Sequence, residues 1–456
     1  MQAAIKKPVK RSHWTNRWTF ILATAGSAIG LGNIWKFPYM TGVNGGSAFV
    51  LVFLACIFLV GIPLMMCEIM LGRRAQRNPV DGMAQLAREA SASSLWRWIG
   101  IIGVLAGMLI LAFYSVIAGW VLDYVLRAAN GDFKNIDASL AKSQFAEFLA
   151  NPLALIFWHS LFILMTMAVV ARGVNEGLEK ANKILMPALF AILLVLIGYS
   201  MSEGNFVRSA QFMFAPDFSK ITPVAVMSAL GHAFFSLSLG MGAVMVYGSY
   251  LQPHISIVKT TIYVALADTA VGLLVGLAIF SLVFANGLEP AAGPGLIFQT
   301  LPIAFGSMPA GGLIGTLFFL LVAFAAWTSA ISLVEPAISW ITENTNISRT
   351  LAASFIGLFS WILGIAVALS FNVWQNITLA FHLNIFDTLD KLTTNILLPL
   401  GGLMMAIFAG WVMKTHHVQT ELGLGNHLYT AWRFTIRYVS PIAITAIFLY
   451  LFGLIR

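Results

Sequence analysis

Apolar residues come in runs of about twenty along the whole chain, separated by short polar stretches. The runs lack alternation at every second position, which excludes a β-barrel. The pattern predicts membrane helices at 14–38, 46–71, 96–127, 152–171, 178–200, 222–252, 259–286, 311–341, 350–370, 386–413 and 430–455. The expected fold is therefore an all-α polytopic membrane protein of eleven spans, one membrane domain over residues 1–456. The longer loops fall near 128–151, 201–221 and 287–310, and the last contains the turn-rich GLEPAAGPG.

Composition agrees with this pattern. The chain is 59% hydrophobic and 10% charged, against roughly 25% charged in ordinary globular domains. The net charge of +8 is explained by position rather than by nucleic acid. With the N-terminus inside, about 18 Lys and Arg residues fall on the cytoplasmic side and about six outside. Residues 1–13 are then a cytoplasmic segment, the C-terminus is outside, and no nucleic-acid partner is expected. The basic N-terminus leads straight into an apolar run without a small-residue cleavage site, so no removable signal peptide is expected. Short loops and eleven spans suggest a prokaryotic inner membrane.

Cys56 and Cys67 lie eleven residues apart in one span, which argues against a disulfide. The His residues are scattered apart from His416-His417, so no metal centre is expected. There is no G-x-x-x-x-G-K-[ST] stretch for a nucleotide, and no nucleophile, base and orienter cluster, so an enzyme is not expected. Nothing points to an obligate protein partner.

Two spans are interrupted at mid-membrane. The first carries AGSAIGLGN (Ala25–Asn33) and the sixth FSLSLGMG (Phe235–Gly242). Each interior glycine weakens a helix by about 1 kcal/mol relative to Ala. In lipid, an unwound turn survives only where something else satisfies its backbone. Cations suit freed carbonyls, and anionic groups suit freed N–H groups at a half-helix N-terminus. An α-amino acid with Na⁺ meets both needs. Close helix packing explains one such stretch, since Gly26-x-x-x-Gly30 fits a small-residue face. Two stretches in corresponding positions instead mark an inverted-repeat transporter, because the first and sixth spans enter from opposite sides. Residues 14–200 and 222–413 form the expected 5+5 repeat with discontinuous helices 1 and 6, and 430–455 is a peripheral additional helix.

At these residues the chain resembles the neurotransmitter:sodium symporter family, in its bacterial amino-acid branch with the leucine-transporter fold. The resemblance rests on GSAIGLGNIWKFPYMTGVNGG (Gly26–Gly46), GIPLMMCEIMLGRRAQ (Gly61–Gln76), FFSLSLGMGAVMVYGSY (Phe234–Tyr250) and WTSAISLVEP (Trp327–Pro336). It runs in order from about residue 11 to the C-terminus. One departure is clear: many members have twelve spans, and this chain has room for eleven.

The resemblance implies two Na⁺ sites. The first would use the Ala28 carbonyl, Asn33, Ser236 and Asp268, completed by the substrate carboxylate. The second would use the carbonyls of Gly26, Ile29 and Ala325 with the hydroxyls of Thr328 and Ser329. All these donors are oxygens, as a hard cation prefers. Asp268 also stands out alone, since a mid-span carboxylate costs about 2.5–3.5 kcal/mol on insertion scales. A buried salt-bridged or water-linked Asp is the other reading. Many animal members have Asn there and need chloride, so the expectation here is chloride-independent transport.

The same match implies that Leu31 and Gly32 amides and the Tyr114 hydroxyl clamp the substrate carboxylate. The ammonium would meet carbonyls of Ala28, Phe235 and Ser236, with Ser238 nearby. Ile110, Ile117, Phe235, Met241, Ser329 and Leu333 would line a side-chain pocket for a hydrophobic or aromatic amino acid. Ser27 stands where monoamine carriers place an acid, which argues against decarboxylated amines. Lys36 and Asp390 would form an outer gate pair, directly or through water, over a lid of Phe235 and Tyr114. Arg11 with Glu343 and Trp14 with Tyr250 would form the inner latch. Glu68 would accept hydrogen bonds from unwound backbone of the sixth span, a proton-carrying role being the other reading. The implied function is Na⁺-coupled amino-acid symport by alternating access. An ion-conducting channel and a non-transporting amino-acid sensor are the alternatives.

Overall fold

The computed structural model describes residues 13–291, 293, 295–379, 382–451 and 454. Nine helices among them are long and apolar enough to cross a membrane: Ser47–Ala75, Ser94–Asn130, Pro152–Val170, Val174–Glu203, Ile257–Ala285, Gly311–Asn344, Arg349–Leu369, Ile385–Val412 and Asn426–Leu451. These are spans 2–5 and 7–11. Spans 1 and 6 are each broken into two shorter helices. Span 1 runs as Arg17–Ala28 and Phe37–Val43, span 6 as Pro223–Ser236 and Ala243–Ser249.

Local chemistry sets the ends. Span 1 starts at Asn16, whose side chain accepts from the Trp18 and Thr19 amides, while Thr19 Oγ1 accepts from the Asn16 amide. This capping box satisfies donors that the first helical turn leaves unpaired. Span 3 ends at Gly131, where φ of +81° suits a residue without a Cβ. The inner half of span 6 starts at Gly242 with φ of +74°.

Burial separates centre from periphery. In spans 8, 7 and 3, 78%, 72% and 67% of the apolar window is buried, against 22% in span 11. Span 11 therefore shows most of its surface to lipid, as expected of an added peripheral helix. Spans 3 and 8 form the longest helix–helix interface, and span 1 packs against spans 5, 7 and 8. The two broken helices thus lie inside a cage of continuous ones, where irregular backbone can be satisfied by protein groups.

Candidate functional site

Span 1 loses its helix at Ile29–Gly30 and resumes in one wide turn, Gly32–Lys36. Two glycines here are required by close neighbours. A Cβ on Gly26 would lie 2.2 Å from Asn182 Oδ1, and one on Gly30 2.5 Å from Ser329 Oγ. Ser329 Oγ lies 3.1 Å from each of three span 1 carbonyl oxygens, those of Gly26, Ser27 and Ile29. A serine hydroxyl has one proton, so three acceptors compete for one donor. The outcome is a buried, electron-rich pocket of carbonyl oxygens. Thr328 Oγ1 donates back to Phe324 O and Ala325 O, both at 3.1 Å, which leaves its lone pairs for a cation. Gly26, Ile29, Ala325, Thr328 and Ser329 are thereby gathered in one place.

The expected first sodium site is gathered in part. Asn33 Nδ2 donates to Asp268 Oδ1 at 2.8 Å and to its main-chain oxygen at 3.0 Å. Ser236 Oγ donates to Asp268 Oδ2 at 2.7 Å. Asp268 is fully buried and has no ion-pair partner among the described residues. The Ala28 carbonyl is not tied to this cluster by a hydrogen bond; Ala28 lines the neighbouring pocket.

That pocket is lined by Ser27, Ala28, Gly30, Gly32, Ile110, Tyr114, Phe235, Ser238, Met241, Ser329 and Leu333, with no acidic side chain. Its volume is only about 20 Å³, enough for one water and no amino acid. The Leu31 amide donates to Tyr114 Oη at 3.1 Å, so two groups expected to clamp a carboxylate satisfy each other. Ser238 Oγ donates to the Ser27 carbonyl at 2.8 Å and ties one break to the other. Ile117 does not line this pocket; it lines an outer cavity of about 360 Å³, together with Trp120, Phe371 and Phe386. It lies one turn further out than the pocket residue Tyr114, past the reach of the closed centre.

The gate residues are also placed. Lys36 Nζ contacts Asp390 Oδ1 directly at 3.2 Å and lies 4.7 Å from the Phe235 ring centre. Phe235 and Tyr114 line both cavities and separate them. On the inner side, the Trp14 amide donates to Tyr250 O at 3.1 Å and its indole N–H to Tyr247 O at 3.0 Å. Arg11 lies outside the described residues. Its expected partner Glu343 accepts from the Asn78 amide and side chain, at 3.0 and 2.8 Å. Glu68 is fully buried, and its Oε2 accepts from the Gly240 amide at 3.2 Å inside the span 6 break.

Sequence reasoning missed two things. Glu335, fully buried, pairs with Arg349 and accepts from Tyr250 Oη at 2.8 Å, joining spans 6, 8 and 9 on the inner side. The clue was a carboxylate inside the apolar WTSAISLVEP, with an Arg just after the next loop. Asn182 of span 5 was also missed, although an amide within an apolar run is a signal of the same kind.

A model of the sodium:neurotransmitter symporter family matches residues 11–139 and 150–455. The chain belongs to this family. Family members are sodium-coupled transporters rather than enzymes, and this member is a multi-pass membrane protein. It is 36% identical to the uncharacterized sodium-dependent transporter YhdH of Bacillus subtilis (strain 168), over 99% of both chains. It is 34% identical to an uncharacterized sodium-dependent transporter of Haemophilus influenzae, covering 96% of this chain and 98% of that one. The crystal structure of MhsT in complex with L-phenylalanine superposes with a TM-score of 0.89, at 42% identity, over 96% of this chain and 99% of that one. The sodium- and chloride-dependent GABA transporter 2 of Homo sapiens is more distant, 24% identical over 74% of this chain.

Proposed function

We propose that this symporter takes up a hydrophobic or aromatic L-amino acid by alternating access, with two Na⁺ per substrate and without chloride. The observation that carries the reading is the set of three span 1 carbonyls around the single proton of Ser329. A Na⁺ ion there would satisfy all three at once, which a hydroxyl cannot do. Asp268 supports a second ion: a buried carboxylate with no ion-pair partner among the described residues, beside the side chains of Asn33 and Ser236, suits a cation, and its charge makes a bound chloride unnecessary. The acid-free, largely apolar pocket, and the L-phenylalanine bound by MhsT, support an amino acid with an apolar side chain. The substrate carboxylate would replace the Leu31–Tyr114 hydrogen bond and complete the first ion's shell, which couples the two binding events reciprocally.

Entry requires opening, because the pocket is too small as it stands. The half-helices of spans 1 and 6 must part from span 8, and the Lys36–Asp390 pair must release. Residues 14–200 and 222–413 serve as the two moving halves, with 430–455 outside the motion. The N-terminus is cytoplasmic, in a cell inner membrane. Two Na⁺ with one zwitterion across 100 mV and tenfold gradients supply about 7.4 kcal/mol, room for about five decades of accumulation.

The test is uptake into proteoliposomes with an inward Na⁺ gradient, run across the twenty amino acids. Saturable accumulation of apolar amino acids, lost when K⁺ replaces Na⁺ and kept when gluconate replaces chloride, is expected. Ligand binding without flux would mark a sensor, and unsaturable ion current a channel; either overturns the reading.

A further inference from the structure

The donors of the second sodium site, as the family resemblance implies them, come from spans 1 and 8. Span 5 presents one more oxygen to the same place. Asn182 is 1% exposed. Its Nδ2 donates to the Leu178 carbonyl at 2.8 Å, which assigns the other end of the amide as oxygen. That oxygen has no hydrogen-bond partner among the described residues. Its direction is given by Gly26: a Cβ there would stand 2.2 Å from Asn182 Oδ1 and 3.2 Å from Thr328 Cβ. The oxygen therefore faces the gap between the residue that offers a carbonyl and the residue that offers a hydroxyl.

A buried acceptor without a donor is costly, and an apolar side chain of similar size would avoid the cost. Span 5 is otherwise largely apolar on its buried side, with Leu185, Met186, Leu189 and Leu193. The carboxamide is thus the exception that needs a partner. Gly26, which faces it from span 1, has no side chain and so offers it no side-chain donor. A hard cation is the partner that fits: asparagine carbonyls serve such ions elsewhere.

We propose that Asn182 Oδ1 is a further donor to the Na⁺ ion of the second site, engaged as the ion moves from Ser329 toward span 5. This rests on the reading of that site given above. Gly26 keeps the line between ion and amide open, since any Cβ would stand in it.

The experiment is a titration of the purified protein with radioactive Na⁺, read by scintillation proximity without substrate. Asn182→Ala is expected to raise the half-saturating Na⁺ concentration about tenfold, the worth of one lost charged contact. Asn182→Asp, which keeps the oxygen and adds charge, is expected to bind Na⁺ at least as tightly as the wild type. Thr328→Val is the control. If it weakens binding while Asn182→Ala titrates like the wild type, the proposal falls and the second-site reading stands. If both titrate like the wild type, the site reading falls and takes the proposal with it. Should the Ala variant fail to fold, the Asp variant decides alone, and weaker Na⁺ binding by it overturns the proposal.

Discussion

The two broken helices solve the same problem with opposite polarity. In span 1 the groups left over are carbonyls, and they meet hydroxyls: Ser329 Oγ faces three of them and Ser238 Oγ a fourth contact at Ser27. In span 6 a freed amide, that of Gly240, meets the carboxyl group of Glu68. The span 6 turn also holds Ser238, Gly240 and Gly242 at positive φ, and a Cβ on Gly240 would meet the Leu398 carbonyl at 2.3 Å. A hydroxyl can rotate away and yield its carbonyls to a cation. A carboxyl group locked under a left-handed turn has no such freedom. The span 1 break is built to exchange partners, and the span 6 break is built to persist.

The sharpest way to break this comparison is Glu68→Ala. It strands a buried amide in the persistent break and is expected to destabilise the protein by about 3 kcal/mol, read as a lower unfolding temperature in detergent without Na⁺. Glu68→Gln, which keeps an acceptor for Gly240, should recover most of that. An Ala variant that unfolds like the wild type and loses only Na⁺ binding would put both breaks in one class.

Asp268→Asn tests the first ion. Removal of this buried carboxylate's charge should weaken Na⁺-dependent substrate binding by about a hundredfold, with chloride restoring part of it. Uptake by the wild type that already stops when gluconate replaces chloride would contradict the role given to Asp268. Ser329→Ala comes next. The carbonyl cluster loses the hydroxyl shared by all three carbonyls, with Ser238 still on Ser27, while the fold keeps the persistent break. About a tenfold rise in half-saturating Na⁺ is expected with little change in unfolding temperature.

The smallest effect belongs to the outer gate. The Lys36 and Asp390 side chains are 14% and 28% exposed, so solvent weakens their attraction to about 1 kcal/mol or less. Lys36→Ala should speed modification of a cysteine placed at Ile117, which lies beneath the pair, by no more than several-fold. A large loss of stability instead would make the pair part of the frame.

Much of the fold was legible because membrane helices are written in long apolar runs. Span 3 was expected at 96–127 and runs Ser94–Asn130, and span 8 at 311–341 against Gly311–Asn344. The breaks were legible too, since glycine and serine at mid-span have few other uses. The site was less so. Ile117 shares the apolar character of Ile110, and only helix rotation and depth put one in the outer cavity and the other in the pocket. Glu335 and Arg349 lie in different helices, and their nearness across one loop is a clue that only helix packing turns into a contact.

Composition and order alone therefore determined that this chain crosses the membrane many times and which two helices come apart, while the particular oxygens offered there were implied by the family resemblance. Hydrophobic run length and backbone hydrogen bonding in lipid are local properties, so a sequence can carry them. What only the tertiary structure decided is the geometry by which each group is met: the Ser329 hydroxyl within reach of three carbonyls, the Glu68 carboxyl group accepting from the Gly240 amide, and the Asn182 oxygen without a partner among the described residues. The Glu68 and Ser329 pairings depend on distances of about 3 Å between residues far apart in the chain, and such distances exist only once the helices have packed.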